Sequence, residues 1–167
     1  MKYKYAFKSE KENVAKVVGR DLSMSRKQAI EMCSFIKNKP LVKAKVLMEG
    51  VKEKRIAVPF NRFTEGAGHK KGMSGGRYPF NGSKIFLMLL NSLEANAQNK
   101  GLGQNLMIVH ACAQRATQPS HSGRKRGIKM KRCHIEIVAQ EMEPEKKKAG
   151  KAKKEAVHHD SKDSKKQ

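Results

Sequence analysis

Seven cations crowd one stretch of this chain. Arg115, Arg124, Lys125, Arg126, Lys129, Lys131 and Arg132 fall within residues 115–132, and no Asp or Glu stands among them. Arg carries a planar fork that clamps a phosphate through two hydrogen bonds or stacks on a base, and Lys supplies a compact point charge. A second basic group, Arg62, His69, Lys70, Lys71 and Arg77, lies in residues 59–82 among Gly66, Gly68, Gly72, Gly75, Gly76 and Gly82. Glycine lets backbone approach a ligand closely, so this segment suits moulding onto a phosphate backbone. Its glycine spacing is not the dinucleotide fingerprint, and no Gly-Lys-Ser/Thr follows as a phosphate loop needs. Arg55 and Lys84 flank the loop and complete the expected nucleic-acid contacts. Ser120, His121, Ser122 and Gly123 make a small, slim tip that fits a narrow space.

Other chemistries find less support. The acids are scattered among lysines, with no carboxylate pair and no Ser-His-Asp or Cys-His arrangement, so an enzyme is not expected. Cys33 falls on an apolar helical stripe and reads as a small core hydrophobe. His110 and Cys112 on one strand, with Cys133 and His134 on its partner, suggest zinc. Adjacent strand residues point to opposite faces, however, so these four cannot converge without a bulge. His158-His159 is a weak metal pair. We therefore assign no metal and no cofactor.

Over the whole chain of 167 residues, 37 Lys+Arg against 15 Asp+Glu give a net charge of +22. Such an excess opposes folding by self-repulsion unless a polyanion neutralises it, and nucleic acid is the leading partner class. Aromatics make up only 5% and Trp is absent, which argues against a surface built to stack bases. No run is long and apolar enough to span a membrane. The charged start has no apolar segment of a secretory signal. Three cysteines are too few and odd in number for a disulfide framework, so a reducing, intracellular setting is expected.

The elements that must position the cations follow from periodicity. Residues 13–18 read as a strand. Ser23 and Ser25 offer N-caps to a first helix with Ala29, Ile30, Cys33 and Ile36 on one face. Pro40 suits the first turn of a second helix, whose stripe is Ala44, Leu47, Met48 and Val51, with Gly50 weakening its end. Ser83 is expected to cap a third helix that buries Phe86, Leu89, Leu90, Leu93 and Ala97, and Gly101 suits the left-handed stop. Residues 59–82 then form a long loop. Leu106, Ile108, His110 and Cys112 alternate with Met107, Val109, Ala111 and Ala113. The return strand alternates Cys133, Ile135 and Ile137 with His134, Glu136 and Val138. In-register pairing puts the fold-back near residues 121–123, with arms of about 16 residues, or roughly 50 Å. The domain is expected over residues 1–143, including a basic hairpin over 106–138. Residues 144–167 carry nine Lys against four acids and almost nothing apolar, and a disordered tail is expected.

The order of these segments resembles one family. Val58-Pro59-Phe60-x-Arg62, Gly76-Arg77-Tyr78-Pro79, and the helix over 83–101 with Asn91-Ser92-Leu93-Glu94-Ala95-Asn96-Ala97 come in turn. Leu106-Met107-Ile108-Val109-His110, the basic hairpin, and Cys133-His134-Ile135-Glu136 follow. The pattern is similar to the universal large-ribosomal-subunit protein twenty-two, called seventeen in eukaryotic numbering, over about residues 13–142. The Gly-rich insert before the third helix looks eukaryotic or archaeal. The resemblance implies an α/β (α+β) fold, with three helices on a three-stranded antiparallel sheet and a protruding hairpin. It implies a structural constituent of the large subunit with ribosomal RNA, neighbouring ribosomal proteins and the nascent polypeptide as partners, and not a homo-oligomer. The hairpin tip would help line the exit tunnel. Residence would be on cytoplasmic ribosomes, with nucleolar transit in a eukaryote. The hairpin is shorter than in eukaryotic members, and the Lys-rich tail is not part of the family pattern. Charge alone also allows a free basic nucleic-acid-binding protein of RNA-chaperone or chromatin type. An RNA-processing enzyme has no acid, base or metal residues to use.

Overall fold

The apolar stripes read from the sequence become the inner faces of three helices laid on a sheet. A computed structural model describes residues 3–7 and 13–142, and the tail expected to be disordered lies outside them. The element order is β1 (Val14–Leu22), α1 (Arg26–Ile36), α2 (Leu41–Lys52), β2 (Val58–Pro59), β3 (Gly76–Arg77), α3 (Phe80–Asn99), β4 (Leu106–Arg115), a 3-10 turn (Gly123–Lys125) and β5 (Cys133–Glu141). The main sheet is antiparallel in the order β1-β5-β4. Phe86, Leu89, Leu90, Leu93 and Ala97 of α3 are all buried, as are Ala29, Cys33 and Ile36 of α1. They meet Val17, Ile108, Ile135 and Ile137 of the sheet in one cluster. Fully burying a side chain of this size stabilises by roughly 1.5–3 kcal/mol, so the stripes alone define which face turns inward. Burial raises the Cys33 thiol pKa strongly, which makes it an inert core group. No helix among the described residues is long and apolar enough to cross a membrane.

Several boundaries differ from expectation for local reasons. Ile30 and Leu47 are only half-buried, and Met32 takes the place of Ile30 on the buried face of α1 beside Ala29, Cys33 and Ile36. The third helix begins at Phe80, with Pro79 as N-cap, not at Ser83. Ser83 is buried inside the first turn, and its hydroxyl donates to the Phe80 carbonyl at 2.8 Å. Gly82 is there for space: a Cβ would sit 2.8 Å from Met32 Sδ. Gly50 is likewise a close-approach site, because a Cβ would meet Ile56 Cδ1 at 2.6 Å. The loop over 59–82 is shorter than expected, since Val58↔Arg77 and Pro59↔Gly76 pair across it. Gly101 does adopt the left-handed conformation, with φ of 69°.

The hairpin departs most. Its first pairs are Leu106↔Glu141 and Ile108↔Ala139, but the next is His110↔Val138. That β-bulge gives β4 an extra residue and reverses its faces, as bulges do. Leu106 and Ile108 point into the core, whereas His110 and Cys112 share the outer face with Glu136 and are not continuous with them as strict alternation would require. A further slip follows: the Ala116 amide donates to the Arg132 carbonyl, yet Ser120 pairs with Lys129. Both shifts move the fold-back later than residues 121–123, onto the turn that contains Arg124 and Lys125. The regular ladder stops at Arg115↔Cys133, well short of two 16-residue arms. We expect amide exchange in the protein free of RNA to divide at that point. Ile135 and Ile137 should be slow and residues 122–127 fast; uniform protection across 116–132 would contradict the division.

Candidate nucleic-acid interface

The expected cations arrive on three kinds of support. Arg124, Lys125 and Arg126 occupy the hairpin turn, and Arg115, Lys129 and Lys131 its arms; all six are exposed. Arg132 is half-buried, and its guanidinium donates to the Asp21 carbonyl at 3.0 Å. One donor of five is thus committed, leaving the rest of the fork for a phosphate. In the loop, Arg77 donates to the Glu65 carbonyl at 2.5 Å and stacks over the Phe60 ring at 5.3 Å. Lys70 lies over Tyr78 at 5.4 Å, and Lys84 over Phe80 at 4.3 Å. Arg62, His69 and Lys71 are exposed. Arg55 pairs with Glu53 at the end of α2.

The hairpin and the loop come together. His121, Lys129 and Lys131 line a cavity of about 650 Å³ with Lys27, Phe60, Phe63, Glu65 and Arg77. The outer hairpin therefore lies beside the Gly-rich loop instead of standing clear of the domain. Of the expected RNA-binding residues only Arg77, Lys129 and Lys131 line this cleft; Arg62, His69, the turn's Arg124, Lys125 and Arg126, and the rest lie outside it. Of the expected tip residues, Ser120 and His121 sit on the arm and Ser122 and Gly123 enter the turn. Only Lys45–Glu94 and Arg55–Glu53 form side-chain ion pairs among the described residues. Nearly all the interface charge is left for an external anion.

Two buried acids that periodicity did not single out hold this arrangement. Glu31 of α1 accepts from the backbone amides of Arg62 at 2.8 Å, Phe63 at 3.0 Å and Asn61 at 3.3 Å. It pins the start of the basic loop to the core. The hint in the sequence was an acid between Ile30 and Met32. Glu136 is fully buried on the outer face of β5. It accepts from the Tyr3 hydroxyl at 2.6 Å, the Ala6 amide at 2.9 Å and Gln114 Nε2 at 3.0 Å. Burial, reinforced by the adjacent carboxylate, pushes the Tyr3 phenol up to about 12, so it remains a donor. Residues 3–7 thus form a strap across the outer face, with Phe7 stacked on His110 at 5.3 Å. Alternation of Tyr3, Tyr5 and Phe7 was its trace in the sequence.

Unpaired cations on a strand-and-loop scaffold, anchored through buried acids to a small core, mark a protein that holds a polyanion. The family model described as Ribosomal protein L22p/L17e matches residues 17–140. A large ribosomal subunit protein uL22 from Archaeoglobus fulgidus is 42% identical over 116 residues, covering 66% of this chain and 75% of that protein. One from Thermofilum pendens is 36% identical over 148 residues, covering 84% and 98%. One from Methanosphaera stadtmanae is 37% identical over 145 residues, covering 81% and 94%. The chain belongs to the ribosomal protein L22p/L17e family.

Proposed function

We propose that this protein is a structural constituent of the large ribosomal subunit. It binds ribosomal RNA through Arg62, Arg77, Lys129, Lys131 and the hairpin turn, and it carries out no catalysis. The observation that carries the reading is the acid-free stretch 115–132 of the hairpin, whose seven cations form no side-chain ion pair among the described residues and whose Lys129 and Lys131 lie beside the basic loop. These cations would displace counterions condensed on the RNA phosphates, and that release drives binding. The turn that contains Arg124 and Lys125, not Ser120 and His121, is the part that extends toward the exit-tunnel wall and the nascent polypeptide. One copy serves each subunit, next to neighbouring ribosomal proteins. The subunit works in the cytoplasm; nucleolar transit would apply in a eukaryotic host.

Sedimentation of a lysate in high salt tests this. The protein should remain with large subunits, whereas a free basic RNA-binding protein washes off as the salt rises. Deleting residues after Glu145 should leave incorporation into subunits nearly intact. The deletion removes charge but none of the described helices or strands. Failure of the truncated chain to enter subunits at ordinary salt would make the tail a specific binding element.

A further inference from the structure

The bulge in β4 has a chemical result separate from RNA binding. It turns His110 and Cys112 onto the sheet face that already carries Glu136. An imidazole nitrogen, the Cys112 sulfur and a Glu136 oxygen all lie within 4.8 Å of one another. His110 Nε2 is the one buried side-chain nitrogen or oxygen among the described residues that has no hydrogen-bond partner. Buried polar atoms are rarely left so, and each orphan calls for a partner. Glu136 accepts three hydrogen bonds, and a carboxylate offers about four lone-pair positions, so one is left, facing the Cys112 thiol, whose proton a bound ion would replace. Thiolate, imidazole and carboxylate together form a donor set suited to zinc-class ions. Cys133 and His134 take no part. Cys133 is buried in the inner core, and His134 Nδ1 accepts from the Asp21 amide at 3.1 Å.

We propose that His110, Cys112 and Glu136 form a three-ligand site for a zinc-class divalent ion, closed over by the N-terminal strap. Each ligand contributes one electron pair. Binding releases the Cys112 thiol proton to solvent, and no oxidation or reduction occurs. Water is the natural fourth ligand of such a site. The strap's Tyr3 and Phe7 touch Glu136 and His110. A bound ion would therefore tie the start of the chain to the sheet.

The test uses the full-length protein under a non-thiol reductant. Titration with Co²⁺, a coloured stand-in, should give a thiolate charge-transfer band that saturates at one ion per chain and is displaced by Zn²⁺. Cys112→Ser should abolish the band and weaken Zn²⁺ binding by at least about ten-fold, since even outer partners of metal ligands are worth ten-fold or more. Cys33→Ser and the paired change of His158 and His159 to Ala should leave both unchanged. A second measurement needs no variant: Zn²⁺ should slow alkylation of Cys112 in the wild-type chain, read by mass spectrometry. A band that survives in Cys112→Ser, no band in the wild-type protein, or Cys112 alkylation indifferent to Zn²⁺ would each overturn the site.

Discussion

Replacing Arg124, Lys125 and Arg126 together with Ala is expected to lower affinity for large-subunit ribosomal RNA roughly a hundred-fold near about 0.1 M salt. The three side chains are exposed at the hairpin turn, and none forms an ion pair among the described residues. If each meets one phosphate, each substitution removes about 0.7 to 0.9 from the magnitude of the log-log salt slope. The slope should flatten by about two units in all. Stability without RNA should barely move, because the turn contributes no residue to the core cluster. Other roles for these cations leave different signatures. A nuclear-import signal predicts unchanged affinity in the tube and mislocalisation in the cell. Cations that face the tunnel lumen predict normal affinity and altered passage of particular nascent chains. Unchanged affinity together with an unchanged slope would remove RNA contact from the turn.

Glu31→Ala should destabilise the fold by about 2–4 kcal/mol, because three backbone amides lose one charged acceptor. Each hydrogen bond to a charged group is worth about 1.5–3 kcal/mol. Asn61 and Arg62 are exposed, so water can reach them and the total falls below a simple sum. Glu31→Gln, which keeps one acceptor oxygen, should recover about half. The effect should also be local: the amides of residues 61–63 should exchange faster, while those of β5 keep their rank order. Since Phe63 and Arg77 line the cleft beside Lys129, loosening this anchor should weaken RNA binding without removing a cation. A Glu31→Ala protein that unfolds at the wild-type denaturant concentration would show that the loop is held by its apolar contacts instead.

What the sequence disclosed, and what it hid, follows from how each signal is written. The α3 stripe was legible because five apolar residues at helical spacing leave one possible buried face. Gly101 was legible because few other residues tolerate its left-handed backbone. The basic hairpin was legible because seven cations without an acid have no packing explanation. The bulge was not, because the residues around His110 alternate as an unbroken strand would, and only pairing with β5 reveals the inserted position. Glu31 and Glu136 were hidden for another reason. A buried acid declares itself through the amides that surround it, and those lie at residues 61–63 and 6, distant in sequence. Ser83 looked like a cap because capping residue types are also common inside a first turn, where the hydroxyl returns to the backbone.

The strap and the β1–β5 pairing also set an order of events. Tyr3 meets Glu136 across 133 positions of chain, and Val14 pairs with Gln140. Contacts between such distant partners form slowly, because a long loop must close first. During synthesis β1 can lie on α3, but it has no strand partner, and Tyr3 and Phe7 lack the Glu136 and His110 face they cover, until β5 has left the ribosome. The helices can pair earlier, but the sheet closes last and closes the chain upon itself. The ribosome that makes this protein must therefore extrude β5 before the sheet can close, and until then the cations of residues 115–132 are displayed on an open strand.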